Sequence, residues 1–168
     1  MEDCMFRTWL QKQAFPRYQD YIHIYRFSPK DLIGFYVANV LENSYRQITE
    51  LMIRGVLLYD GRLPRPNSFL YRAEIVLHFL EKKAILEDNV VSPGFRRQGI
   101  GSQGLDFIKY LVVSSSPCTI LAGVKHPIPN TLDEMNKLTE FYQHNGFRNM
   151  ADDVIVCHLL TNEPASGH

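Results

Sequence analysis

One stretch constrains this chain more than any other. It runs Val90-Val91-Ser92-Pro93-Gly94-Phe95-Arg96-Arg97-Gln98-Gly99-Ile100-Gly101-Ser102-Gln103-Gly104-Leu105-Asp106-Phe107-Ile108. An apolar, extended approach from Ala84 to Val91 meets a Pro-Gly break, then two arginines, then Gly99 and Gly101, then a run with helical periodicity. Glycine lets a backbone turn tightly and lets a ligand approach without a Cβ in the way. Where a strand hands over to a helix, such a loop aims several N–H groups at one point. The helix N-terminus adds partial positive charge and unpaired donors there. With Arg96 and Arg97 beside it, that point suits phosphate.

The spacing is neither Gly-x-x-x-x-Gly-Lys-Ser/Thr nor Gly-x-Gly-x-x-Gly with a strand-end acid downstream. It is Arg/Gln-x-x-Gly-x-Gly/Ala, written here Arg96-Arg97-Gln98-Gly99-Ile100-Gly101 and preceded by Val91-Ser92-Pro93. This segment resembles the coenzyme A loop of the GNAT superfamily of N-acetyltransferases. Phe141-Tyr142-Gln143-His144-Asn145-Gly146-Phe147 is similar to that family's aromatic-Tyr-x-x-x-Gly-Phe motif. Two motifs in the right order and at the right distance are far more specific than either alone. The resemblance covers Phe69 to Leu160 and extends poorly over residues 1–65.

At 168 residues the chain is long enough for one domain with a sizeable core, expected over 1–162 with a tail at 163–168. Eighteen basic residues balance eighteen acidic ones, so charge names neither nucleic acid nor an anionic membrane as partner. Cys4, Cys118 and Cys157 show no metal-ligand spacing and favour a reducing, cytoplasmic setting, with the latter two as buried strand residues and no metal expected. No leader and no apolar run of about 18 residues stands out.

Taken in order, Met5–Leu10 has no assigned state. Tyr21–Phe27 reads as the first strand, His23 being a strand-face residue rather than a ligand. Ser28-Pro29-Lys30-Asp31 reads as a helix start, with Leu32, Phe35, Tyr36, Ala38 and Leu41 at helical spacing behind it. A second short helix is expected over Tyr45–Ile53, then a short strand Val56–Tyr59 ending in an Asp60-Gly61 turn. Phe69–Leu80 and Ala84–Val91 form two strands joined by a polar turn at Glu81–Lys83. A helix follows from about Gly99 to Val113, with Leu105, Ile108, Leu111 and Val112 inward, then an apolar strand Cys118–Val124. Thr131 caps a helix over Leu132–His144, which Gly146 stops. Phe147–Met150 and Val154–Leu160 close the sheet through an Ala151-Asp152-Asp153 turn.

This β-α-α-β-β-β-α-β-α-β-β order matches what the resemblance implies. The implied fold is mixed α/β, a mostly antiparallel sheet of six to seven strands with about four helices, splayed between its fourth and fifth strands beyond the glycine loop. Acetyl-coenzyme A is then the co-substrate. The backbone of Asn89, Val90 and Val91 would bond the pantetheine amides, and N–H groups from Arg97 or Gln98 through Gly99, Ile100, Gly101 and Ser102 would cradle the pyrophosphate. Arg96 and Arg97 serve either the adenosine 3′-phosphate or only solvent. Asn136 lies near where the family often has an asparagine contacting the cofactor, about one residue out of register.

The implied chemistry is acyl transfer to an amine, which is protonated near neutral pH and must lose a proton before attack. The resemblance assigns Tyr142 as the acid that protonates the departing thiolate; a phenol of pKa about 10 is well matched to a thiol. The competing reading makes Tyr142 a packing residue on the last helix. For the base, Glu87 and Asp88 sit on opposite faces of the strand entering the loop, and Glu87 is preferred; a water relay or a merely solvated or ion-paired acid are the alternatives. His126 and His144 are assigned no role. The family would wall the acceptor with two helices near Phe35–Arg54 and the loop Lys125–Asn130, where Glu42, Glu50 and Asp60 can attract a cationic amine. Candidate acceptors are a small amine, an antibiotic, an amino acid, or a peptide N-terminus or lysine, and dimers are common among proteins of this resemblance. Three readings follow: an N-acetyltransferase, a non-catalytic acyl-coenzyme A-binding module on the same fold, or an unrelated interaction protein whose glycine loop is only a turn.

Overall fold

A computed structural model describes residues 1–150 and 153–159. In chain order the elements are α1 (Glu2–Gln13), β1 (His23–Arg26), β2 (Leu32–Glu42), β3 (Ile48–Leu58), β4 (Tyr71–His78), β5 (Lys83–Val91), α2 (Ile100–Ser115), β6 (Ile120–Val124), α3 (Leu132–His144), β7 (Arg148–Asn149) and β8 (Val154–His158), with 3-10 turns at Pro16–Tyr18 and Pro93–Phe95. The eight strands are ordered β1-β2-β3-β4-β5-β6-β8-β7. The described residues thus hold eight strands and three α-helices, against an expected six to seven and about four. Two compact units can be distinguished, Met1–Ile75 with Asp88–Phe107, and Val76–Glu87 with the chain from Ile108 onward.

In the first unit, the two helices expected over 32–41 and 45–53 are strands. β2 and β3 are each 11 residues long and pair antiparallel from Leu32↔Leu58 to Glu42↔Ile48. Six successive positions, Leu32 to Val37, are buried, which a strand covered on both faces allows and an amphipathic surface helix does not. Ser28-Pro29-Lys30-Asp31 turns β1 into β2 instead of capping a helix. Asp31 N donates to Ser28 O at 3.3 Å, Phe27 N to Asp31 O at 3.0 Å, and Ser28 Oγ to Asp31 Oδ2 at 2.6 Å. Serine, proline and aspartate suit a helix N-terminus and a tight turn equally, so local chemistry cannot separate the two. The next turn works similarly, with Asn43 Oδ1 accepting from Tyr45 N and Gln47 N, both at 3.0 Å, and Arg46 at φ 59°.

The helix lies where no state was assigned. Phe6, Leu10 and Ala14 fall at successive four-residue steps, so they share one face of α1 and its exit. They form a core with Leu32, Tyr36, Val56 and Leu58. Gly34 makes the close approach workable, since a Cβ there would stand 2.5 Å from Leu10 Cδ1 and 3.0 Å from Phe6 Cε1. On the other face of β2, Phe35 meets Tyr71 edge-on, with centroids 5.3 Å apart, and stacks with Phe107 of α2 at 6.0 Å.

In the second unit, β5 pairs with β6 in parallel from Lys83↔Ile120 to Leu86↔Gly123, and β6 and β7 each pair antiparallel with β8. β5 continues to Val91 past the last of its pairs with β6. α2 turns Ile108, Leu111 and Val112 inward as read from the sequence. Thr131 caps α3, its side chain accepting from Glu134 N at 3.2 Å, and the helix ends before Gly146 at φ 86°. Cys118 and Cys157 are buried and Cys4 is exposed; Cys157 is on β8, while Cys118 precedes β6. Residues 151–152 of the expected turn, Leu160 and the tail at 163–168 lie outside the described residues.

Candidate functional site

The loop between β5 and α2 belongs to the first unit and folds as its residue types require. Pro93–Phe95 makes one 3-10 turn, with Phe95 N donating to Ser92 O at 2.9 Å. Arg97 then takes φ 62° and Gly99 φ 83°, both left-handed, which reverses the chain into α2. A Cβ added at Gly94 or at Gly99 would meet no atom within 4 Å. The space around both positions is therefore open, and at Gly99, where α2 begins, that is what a cradle for a ligand requires. The first N–H groups of α2 have no carbonyl of their own helix to bond. Ile100 is buried and anchors the turn, while Arg96, Arg97, Gln98 and Gly99 are exposed and Gly101 and Ser102 are partly covered.

Two side chains brace this loop internally. Arg96 Nε donates to Val91 O at 3.2 Å, and Gln98 Nε2 donates to Gly94 O at 3.3 Å. Arg96 thus does local structural work at the carbonyl of one of the residues assigned to the pantetheine. Arg97 carries the second guanidinium in the same exposed loop.

Asn89, Val90 and Val91 lie on the last part of β5, each partly buried. Asp88 pairs with Arg72, Oδ2 to Nε at 3.0 Å, which is the ion-paired alternative considered for it. Asn89 Oδ1 accepts from the hydroxyl of Tyr71 at 2.6 Å. The sequence offered no sign of Tyr71; only the register of two strands brings it to Asn89. At the first turn of α2, His23 Nε2 donates to Gln103 Oε1 at 2.9 Å, and the His23 ring stacks with Phe35 and Phe107 at 6.0 and 6.5 Å. His23 is a satisfied strand-face residue, as read. Next to it, burial pushes the Tyr25 phenol up to about 12; its hydroxyl is buried, with no hydrogen-bond partner among the described residues.

The other assigned residues belong to the second unit. Tyr142 is 7% exposed near the end of α3. Its ring meets Phe141 edge-on at 5.1 Å and Phe147 at 5.3 Å, so both aromatic positions of the Phe-Tyr-x-x-x-Gly-Phe motif pack against it. Phe147 N donates to Tyr142 O at 2.9 Å and ties the motif's last residue back to the helix. Lys109 of α2 donates to Asn145 O and stands over the Phe147 ring at 5.5 Å. Glu87 is exposed on β5, next after the last pair with β6, and Asn136 is exposed on α3. His126 and His144 are exposed. Lys125 is 4% exposed and donates through Nζ to Thr139 Oγ1 at 2.7 Å. Among the described residues no group of histidine, cysteine and carboxylate side chains could hold a metal ion, and no helix is long and apolar enough to cross a membrane.

The expected acceptor wall is corrected along with the fold. Where two helices were expected over Phe35–Arg54, the β2–β3 hairpin stands. Glu50 faces Leu41 across that hairpin, Glu42 pairs with Ile48 beside its turn, and Asp60 stands 3.7 Å from Lys30 Nζ.

No protein-family model matches the sequence, and no curated protein sequence matches it. Among solved structures the fold is similar to that of PaiA N-acetyltransferase from Thermoplasma acidophilum in complex with coenzyme A, at 14% identity and TM-score 0.50 over 66% of this chain and 61% of that one. It is similar to nourseothricin acetyltransferase, at 12% identity and TM-score 0.50 over 67% of this chain and 66% of that one. It is also similar to spermidine N-acetyltransferase from Vibrio cholerae in complex with CoA and spermine, at 10% identity and TM-score 0.50 over 66% of each chain. At these identities the likeness is one of fold: a mixed α/β, mostly antiparallel GNAT fold. The chain spans less than two thirds of the PaiA chain.

Proposed function

We propose that this chain is an acetyl-coenzyme A-dependent N-acetyltransferase. The observation that carries the reading is the open loop at the N-terminus of α2, with Arg97 and Gly99 left-handed, no atom within 4 Å of a Cβ at Gly99, and two arginines alongside. Backbone donors at a helix start, aided by fixed positive charge, are suited to a pyrophosphate. Val91-Ser92-Pro93 and Arg96-Arg97-Gln98-Gly99-Ile100-Gly101 keep the order of the coenzyme A loop, and the fold is the one that uses it. In this reading Asn89, Val90 and Val91 receive the pantetheine amides, the N–H groups of Arg97 through Ser102 take the phosphates, and Asn136 is a cofactor contact.

The acceptor amine first loses a proton, to Glu87 or through water to solvent. Its nitrogen then attacks the thioester carbonyl, and the developing oxyanion is stabilised by a backbone N–H. As the carbon–sulfur bond breaks, Tyr142 gives its phenolic proton to the thiolate, and the proton that the attacking nitrogen still carries passes through water to restore the phenol, leaving an amide and free coenzyme A. The reaction is a direct transfer in a ternary complex, and the acceptor is a primary amine. Tyr142→Phe keeps the ring between Phe141 and Phe147 while removing the proton. It should lower acetyl transfer at saturating acceptor by about 10²- to 10⁴-fold, the range of a general acid, with acetyl-coenzyme A affinity unchanged. Free-thiol release across a panel of amines measures this, and an unchanged rate would remove Tyr142 from the mechanism.

One observation favours a second reading. Tyr142 is as well packed as a core aromatic, so the fold can use it without chemistry. A non-catalytic acyl-coenzyme A-binding module would bind the cofactor with the same loop and release no thiol with any amine.

A further inference from the structure

We infer that Tyr71 is a positioning residue for the cofactor-binding end of β5, an inference that rests on the reading above. Its hydroxyl donates to Asn89 Oδ1 at 2.6 Å, a short, well-formed O–H···O bond. The ring is 0% exposed and is held by Phe35 edge-on at 5.3 Å and by α2 from above. A Cβ at Gly104 would stand 2.4 Å from Tyr71 Cζ and 2.7 Å from its oxygen, so the absence of a side chain there lets the helix lie directly on the phenol. A tyrosine locked this way presents its hydroxyl from a fixed point.

The bond is one of three ties in a row. Leu70 O accepts from Ser92 N at 2.8 Å, Tyr71 holds Asn89, and Arg72 pairs with Asp88 at 3.0 Å. Tyr71 and Arg72 act on opposite sides, because successive strand residues alternate faces. Together the ties bracket Asn89, Val90 and Val91, the residues assigned to the pantetheine. The pairs with β6 end at Leu86, so beyond it β5 is held from one side, by its neighbour β4 and these three ties. Of them the Arg72–Asp88 pair is half-exposed and screened by water, while the Tyr71–Asn89 bond is part-buried, its donor ring fully so. The phenol holds Asn89 Oδ1 and so restrains the side chain of a residue assigned to the pantetheine.

The test compares acetyl-coenzyme A binding by calorimetry, KM and kcat in the wild type, Tyr71→Phe, Asn89→Ala and the double variant. Tyr71→Phe keeps the ring and its packing and removes only the O–H. We expect Kd and KM for acetyl-coenzyme A to rise about 10-fold, the scale of one buried hydrogen bond, with kcat at saturation within about twofold. The double variant should bind no more weakly than Asn89→Ala, since both changes break the same bond. A purely structural role would lower the melting temperature and leave the KM-to-kcat split untouched. Equal Kd in Tyr71→Phe and wild type overturns the inference alone. Should Tyr71→Phe fail to fold, Asn89→Ala breaks the bond from the strand side, and its unchanged Kd would overturn the inference equally. Failure of the wild type to bind acetyl-coenzyme A overturns the functional reading and the inference together.

Discussion

Replacing Gly99 by alanine separates what the loop costs the fold from what it gives a ligand. Gly99 sits at φ 83°, where a Cβ is strained, but no atom lies within 4 Å of that Cβ, so strain is the whole structural penalty. A left-handed residue with a side chain costs about 1–2 kcal/mol. For a chain of this size that lowers the melting temperature by roughly 2–8 °C. Gly94 is the internal control, equally open and outside the left-handed region, so Gly94→Ala should leave stability within about 1 kcal/mol of wild type. The two substitutions part company once acetyl-coenzyme A is added. A methyl group on Gly99 stands at the mouth of the cradle and disturbs one N–H-to-phosphate bond, a charge-assisted contact of about 1.5–3 kcal/mol. Affinity should fall about 10- to 100-fold for Gly99→Ala and hardly at all for Gly94→Ala. Thermal unfolding of the free proteins and calorimetric titration of each with acetyl-coenzyme A give both numbers. If Gly99→Ala bound as tightly as Gly94→Ala, the loop would be a turn and not a phosphate site. A fall in melting temperature of 20 °C or so would show that Gly99 is held by more than its backbone angle.

Two further outcomes concern the fold. Thr131→Ala removes the oxygen that accepts from Glu134 N and should cost about 1 kcal/mol, hence roughly 2–4 °C, with Thr131→Ser restoring most of it; an unchanged melting temperature would show that α3 starts without its cap. Asp31 is held below its ordinary 3.8 chiefly by the Ser28 hydroxyl, then by the backbone N–H of Asp60 and the charge of Lys30. A carboxylate depressed on folding stabilises the protein above its unfolded pKa, and that stabilisation is lost as the pH falls through the lower folded value. The gap in urea midpoint between wild type and Asp31→Asn should therefore be largest near neutral pH and shrink below about pH 4, and a pH-independent gap would mean that the turn does not depend on the charge.

The legible parts of this sequence are those whose signal is local. Gly99, Thr131 and Gly146 act through their own backbone angle or a bond three residues away, and each behaves as read. Leu105, Ile108, Leu111 and Val112 lie along one face of one helix, which periodicity alone reveals. β2 and β3 failed because Ser28-Pro29-Lys30-Asp31 makes a turn as readily as a cap, and because Leu32, Phe35 and Tyr36 fit a helical stripe within an apolar run that also fits a doubly covered strand. α1 carries its own signal, since Phe6, Leu10 and Ala14 recur at helical spacing, with Glu2 and Asp3 in the first turn and Lys12 in the last. The bond from Tyr71 to Asn89 is out of reach of local signals, because its partners lie 18 residues apart. Only the register of a hairpin makes residues 71 and 89, and 72 and 88, neighbours on opposite faces.

That failure and that success divide the chain by function. The part from Phe69 onward carries the glycine loop and the Phe141–Phe147 segment, and among its described residues the elements read from the sequence match those of the fold. The part before it was expected to wall the acceptor with two helices and instead builds two long strands. A helical wall presents side chains at every third or fourth residue along a groove, whereas a strand presents alternate residues to one face. The residues of β2 and β3 that alternate with Phe35 are therefore committed to packing, and the acids marked as amine attractors are elsewhere. Glu42 and Glu50 flank the turn of the hairpin, and Asp60 is beside Lys30. The cofactor end of the proposed reaction rests on the loop, and for its acceptor a panel of amines chosen without regard to any relative's substrate is the screen that matches this fold.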